Sequence, residues 1–276
     1  MSDRTIVKES GHWYAKDGTQ VLEVPKARGD GWKRTTLREA RTMDLGPGVT
    51  TIIKCAHAPQ LDRWKQRQAI MSALTLPRTP DESEDDWMRR VEVDMGETAR
   101  KAAEEGTRIH AAIEAAMEGL TFDPDYRDHV DGVRRLLATM ASVDTKWVAE
   151  KGVTHPLGYG TKADLHDDGA VWVADFKGKD GTQEELEKLK TYDSHWMQLA
   201  ATRAALEATE WGYPHDGWRY EGPRRRCAII YVSRTHPGAC HAVEITPEQL
   251  VQGWNCFKAL LRYWQAKNRY TPDWIS

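Results

Sequence analysis

The chain has 276 residues with 39 Lys+Arg against 42 Asp+Glu, a formal charge of −3. That length is ample for a full hydrophobic core, and the near-balanced charge does not suggest a generally basic nucleic-acid binder, so any polyanion contact must come from local clusters. No apolar run approaches membrane-spanning length and the first ten residues carry no secretory-type apolar stretch, which leads us to expect a soluble, cytoplasmic protein that does not engage a membrane.

In chain order, His12–Ala15 and Gln20–Val24 flank a Lys16–Thr19 turn and predict a hairpin, followed by a short helix over Thr35–Met43 that ends near Gly46-Pro47-Gly48. Helices are expected at Pro59–Leu74, at Ser83–Glu118 with a break near Gly96 or Gly106, and at Asp125–Ser142, with Pro77–Asp86 as an exposed connector. Three strands come next, at Lys146–Val153, Gly158–Leu165 and Val171–Lys179. A single long helix is predicted over Glu184–Glu207, then strands at Cys227–Val232 and Cys240–Ile245. Thr246-Pro247 opens a closing helix that runs to about Lys267, the threonine as N-cap and the proline in the first turn. There is no internal repeat. Twelve Trp against three Phe make tryptophan the main aromatic of the core, with a few available to stack on unpaired bases.

The most informative stretch is Gly158–Lys179, which places Asp164, Asp175 and Lys177 in one predicted hairpin. Asp168-Gly169 reads as a two-residue turn, which pairs Asp167 with Ala170 and Asp164 with Val173. Asp175 is then the diagonal same-face neighbour of Asp164, and Lys177 lies two residues further on the same face. Two carboxylates suit a hard divalent cation, which takes phosphate oxygens and lowers the pKa of bound water, while the ammonium offsets developing charge. The alternative is a solvated strand face that carries charge by chance.

Flanking segments extend the pattern. Glu105–Met117 places Ile109, Ala112, Ile113 and Ala116 on one helical stripe, with His110 and Glu114 one turn apart beside it. Downstream, the predicted helix carries Tyr192, His195 and Gln198. The order of G-x-x-x-H, an acidic residue, G-x-x-x-D, D-x-K and a helical glutamine resembles the RecB-like branch of the PD-(D/E)XK nucleases, in particular phage-type exonucleases similar to the mitochondrial genome maintenance exonuclease. The likeness runs from about Val49 to Leu206. It implies an α/β restriction-endonuclease-like fold with an αβββαβ core, preceded by a helical arm and a hairpin extension. The chain is accordingly divided into an extension at 1–48, an arm at 49–144 that includes the His-bearing helix, and a core at 145–276.

The resemblance further implies that His110, Asp164, Asp175, Glu150 and the Phe176 carbonyl ligate Mg²⁺, or Mn²⁺ in its place, with Lys177 catalytic and Gln198 opening a Q-x-x-x-Y motif. Thr202 stands where that motif has tyrosine, and Lys162 where the aspartate motif has a small or apolar residue. Read singly, His110 is a helix-surface histidine, Gln198 an ordinary helix glutamine and Glu150 a solvated strand residue; the ordered set carries the reading. Lys162, Lys179 and the run Arg224, Arg225 and Arg226 are candidate phosphate contacts. Cys55, Cys227, Cys240 and Cys256 are too widely spaced for the short loops of a cluster motif, so no iron–sulfur cluster is expected. The activity expected is metal-dependent DNA exonuclease action in phage recombination or DNA processing. Its expected partners are DNA with a free end and a single-strand annealing or binding protein. The alternatives are a structure-specific or flap endonuclease on the same core, and a non-catalytic recombination partner that binds nucleic acid.

Overall fold

Central strands buried on both faces organise the molecule, a mixed α/β protein seen here in a computed structural model that describes residues 12–57, 59–142, 144–211 and 225–275. Five strands, β5 (Trp147–His155), β6 (Tyr159–Asp167), β7 (Trp172–Lys179), β8 (Arg226–Ser233) and β9 (Cys240–Ile245), form one sheet in sequential order. Neighbours are antiparallel except β7 and β8, which run parallel and therefore need a helical crossover. On β8, Cys227, Ile229 and Tyr231 enter one core while Ile230 and Val232 enter the other, so this central strand reads as an unbroken apolar run.

Helices cover both faces. On one lie α2 (Val49–Ile53), α7 (Asp193–Trp211) and α8 (Pro247–Asn268), contributing Ile52, Leu199, Ala204, Phe257 and Leu261 to the first core. On the other, α4 (Glu84–Met117) and α5 (Arg127–Met140) bring the Ile109/Ala112/Ile113/Ala116 stripe and Val130, Val133 and Leu137 to the second. Ser83 caps α4, and the helix runs unbroken through Gly96 and Gly106, where the expected interruption does not occur. The first half of α4 pairs with α3 (Pro59–Thr75) as a helical hairpin, whose connector is pinned by Trp87 Nε1–H donating to Leu76 O at 2.7 Å and by the Arg90–Glu82 ion pair. Among the described residues no helix is long and apolar enough to cross a membrane.

Two expectations about chain path are corrected. The predicted helix over Glu184–Glu207 is two helices, α6 (Gln183–Glu187) and α7, because 188–192 leave the helical path. There the Lys190 carbonyl accepts from Tyr231 Oη, and Thr191 Oγ1 accepts from Trp196 Nε1–H. The hairpin loop between β6 and β7 spans 168–171 instead of two residues. Asp167 causes this: its carboxylate accepts the N–H groups of Val171 and Trp172, and Ala170 takes a left-handed φ of 58°. The register becomes Leu165↔Ala174 and His166↔Val173, two residues from that expected.

The N-terminal segment is built onto this core. β1 (Trp13–Tyr14) pairs with β4 (Gly46–Pro47), and the turn expected over Lys16–Thr19 is present, closed by Ala15 N–H to Thr19 O. The turn rests on β5 through Thr154 Oγ1–H donating to Lys16 O at 2.7 Å. A second hairpin, β2 (Glu23–Pro25) with β3 (Trp32–Arg34), precedes α1 (Leu37–Met43). That helix is capped by the Thr36/Glu39 capping box.

Candidate active site

The strands part at Asp164. Pairing of β6 with β7 stops at Leu165↔Ala174, and Asp164 Oδ2 accepts the Phe176 N–H at 3.0 Å in place of a further ladder bond. On the other side, β5 pairs with β6 at Ala149↔Leu165 and Lys151↔Ala163, while Glu150, the residue that would face Asp164, adopts φ 57°. The sum of paired numbers is unchanged across this point, so no residue is inserted; the pleat itself turns. Ala163 and Leu165, two residues apart, consequently enter different cores, as do Val153 and Ala149. A non-glycine residue in the left-handed region is a strained element of the kind that gathers at functional sites.

This break collects charge. His110 of α4 reaches across with Nε2 3.1 Å from Asp164 Oδ2 and Nδ1 3.4 Å from Glu150 Oε1, and packs edge-on against Phe176. His110, Glu150 and Asp164 each offer a ligand atom within 4.8 Å of the others. Lys162 forms an ion pair with Glu150. From the α7 side, Gln198 bridges the remaining pair: its Nε2 donates to Asp175 Oδ1 at 2.5 Å and its Oε1 accepts from Lys177 Nζ at 3.1 Å. Lys177 Nζ also lies 2.8 Å from Asp175 Oδ2.

Proton affinities follow from these neighbours. Burial pushes the Asp175 carboxyl up, with the Asp164 charge adding and Lys177 opposing, to about 6. Burial also pushes Asp164 upward, but the His110 hydrogen bond and charge, Lys177 and the Phe176 N–H outweigh it and hold the group below the usual carboxylate range. For His110 and Lys177 burial acts downward and is overcome by the carboxylates, so both cations are held more firmly than usual. His195, at the start of α7, is pushed down to about 4 by burial and by the ammonium groups of Lys177 and Lys179, and stays neutral.

A cleft of about 340 Å³ opens over the cluster, lined by His110, Glu114, Glu150, Lys162, Asp164 and Gln198, and on its far wall by His12, Tyr14 and Gln20. Those last three were not among the residues singled out in the sequence. Tyr14 reaches the site because Gly160 has no side chain; a Cβ there would stand 2.3 Å from the tyrosine. The Tyr14 phenol accepts from Gln20 Nε2 at 3.2 Å, and burial together with the Asp164 charge pushes it up to about 12. The glycine after Tyr159 was the available signal. A second opening, about 270 Å³, lies on the other side of His110 beside Phe176, Lys177 and Gly178.

The structure thus brings together His110, Glu150, Asp164, Asp175, Lys177 and Gln198, with the Phe176 backbone between them. It does not bring in the arginine run. Arg225 is buried and paired with Glu210, so it cannot meet a phosphate. Arg226 pairs with Glu244 over the Trp172 ring, at the opposite end of β7 from Lys177 and roughly 16 Å away at strand rise. Arg224 lies outside the described residues. Lys162 is committed to Glu150, while Lys179 is half-buried beside Arg234, whose charge adds to burial in lowering its pKa. No family model matches the chain, and no curated protein matches it.

Proposed function

We propose that the protein is a metal-dependent deoxyribonuclease acting on strand ends, built on a PD-(D/E)XK-like core. The observation that carries this reading is the convergence of His110, Glu150 and Asp164 with the Asp175–Lys177–Gln198 triplet at the point where β6 and β7 part. Two carboxylates and an imidazole within 4.8 Å are a donor set that fits Mg²⁺ or Mn²⁺, with Asp175 as the adjoining carboxylate. Such an ion, when bound, supplies a polarised phosphate and an acidified water.

The chain's own residues do the rest. His110 binds through a ring nitrogen only after giving up the proton that its carboxylate neighbours favour, so the site loads more readily as pH rises. Lys177, held by Gln198 and Asp175, keeps its proton at neutral pH; it therefore orients the attacking water and offsets charge on the phosphate oxygens instead of abstracting a proton. Gln198 fixes both groups in one geometry. Tyr14, protonated and facing Asp164, offers an O–H to a non-bridging oxygen.

The cleft supports an end-directed substrate. Its volume is of the order of a small-ligand pocket and far below that of a duplex, and β1 and α4 wall it on two sides. A degradation assay on linear and closed circular DNA, single- and double-stranded, tests this. Linear DNA is expected to shorten only with Mg²⁺ or Mn²⁺, and closed circles to survive. Rapid cutting of intact circles would favour a flap or structure-specific endonuclease.

A further inference from the structure

The second hairpin of the N-terminal extension sets basic residues around an exposed tryptophan. Its turn is closed by the Lys26 N–H donating to Gly31 O at 3.0 Å, with Gly29 and Gly31 at φ 76° and 106°. The strands pair Pro25↔Trp32, Val24↔Lys33 and Glu23↔Arg34. On one face Val24 is buried, and Lys33 is tied to Glu39 at 2.5 Å. The other face shows Trp32, 64% exposed, beside Pro25 and Arg34. Lys26, Arg28, Lys33 and Arg34 stand against Glu23, Asp30 and the Glu39 that pairs with Lys33, a small local positive excess in a chain of net charge −3.

The hairpin is joined to the strand that walls the cleft. Thr35, next to Arg34, is buried and its carbonyl accepts from Trp13 Nε1–H at 3.2 Å, which fixes the hairpin to β1. His12 and Tyr14, on either side of Trp13, line the cleft wall. Burial and then the charges of Lys54, Arg34 and Lys162 hold His12 below its ordinary pKa, so Arg34 of the hairpin acts electrostatically on this wall of the cleft. Trp32 lies two residues from Arg34 on the same face, roughly 7 Å further out.

We propose that the β2–β3 hairpin is a strand-binding finger, in which Trp32 stacks on a base of an unpaired nucleic-acid strand while Lys26, Arg28 and Arg34 hold its phosphates. The assignment rests on the nuclease reading of the adjoining cleft. An exposed indole flanked by cations is the combination that grips single strands without reading sequence. A paired duplex offers no free base face to it.

The test is binding of short single-stranded oligonucleotides that carry 2-aminopurine at successive positions, in EDTA so that nothing is cleaved. Wild-type protein should quench the probe at one or two adjacent positions. Trp32→Ala should lose that quenching and bind about 5- to 150-fold more weakly, while Trp32→Phe retains most of both. Arg28→Gln with Arg34→Gln should flatten the dependence of log K on log salt by about 1.4. Because Trp32 is exposed, unfolding temperatures should match wild type. Equal affinity and equal quenching in Trp32→Ala would overturn the finger and leave the nuclease reading standing. Failure of the wild type to bind any oligonucleotide would also overturn it, and the separate degradation assay shows whether the nuclease reading falls with it. Trp32-dependent binding without degradation would support the finger and sink the nuclease reading.

Discussion

Replacing Asp175 by Asn should stabilise the metal-free protein while abolishing its chemistry. Asp175 is 5% exposed, and its carboxyl is raised from 3.8 to about 6, chiefly by burial. A carboxyl whose folded pKa lies above its unfolded value favours folding below about pH 4, and that contribution is lost as pH rises towards 6. At pH 7 the ionised group therefore costs up to about 3 kcal/mol, the product of the roughly two-unit difference and 1.36 kcal/mol per unit. Asparagine mimics the protonated carboxyl and escapes this cost. Its amide, however, must turn one N–H towards Lys177 or Gln198, which act as donors there, so a smaller gain of at most about 2 kcal/mol is expected. Thermal unfolding in EDTA at pH 7.5 should rise by roughly 2–4 °C per kcal/mol. Between pH 4 and 6.5 the wild type should lose stability relative to the variant, and above that range the gap should stay constant. Added Mg²⁺ should stabilise the wild type more than the variant. A variant less stable than wild type in EDTA at pH 7.5 would refute the burial argument.

If Lys177 has the proposed role of offsetting charge in the transition state, Lys177→Ala should leave the fold intact and lower turnover about 10²–10³-fold; a wild-type rate in folded protein would remove Lys177 from the mechanism. Glu150→Gly should keep stability within about 1 kcal/mol, since glycine accepts the left-handed backbone, whereas Glu150→Val should cost roughly 1–2 kcal/mol more. Equal unfolding temperatures for the two would contradict the strained geometry. His110→Ala should weaken Mn²⁺ binding, read by calorimetry, more than it weakens oligonucleotide binding in EDTA; unchanged metal affinity would return His110 to an ordinary helix residue. Cys227 and Cys240 lie at opposite ends of the β8–β9 pair, roughly 16 Å apart, so anaerobically purified protein should contain no stoichiometric iron. A brown, iron-loaded preparation would overturn that.

Much of the site was legible because its signals are local. Asp175 and Lys177 sit two apart on an alternating strand, His110 sits beside an apolar helical stripe, and Ser83 and Thr246 mark helix starts through their own side chains. What was not legible depends on contacts between distant segments. The β6–β7 register was misread because the Asp167 carboxylate captures two backbone N–H groups, a choice that Asp168-Gly169 conceals. The break before α7 is held by Tyr231, about forty residues downstream. The left-handed Glu150 and the turned pleat follow from packing on two sides of the sheet, and no spacing rule reports that. Arg224, Arg225 and Arg226 looked alike as a charge run, yet Arg225 is buried against Glu210 and Arg226 is spent on Glu244.

The central claim is that the cluster at the parted strands hydrolyses phosphodiester bonds through a divalent cation. It is tested most directly by following end-labelled linear DNA with purified protein in EDTA, then after addition of excess Mg²⁺ or Mn²⁺, alongside Asp164→Asn. No release of label is expected in EDTA, release on adding metal, and none with the variant under either condition. Equal release in EDTA, or none from the wild type with either metal, would contradict it.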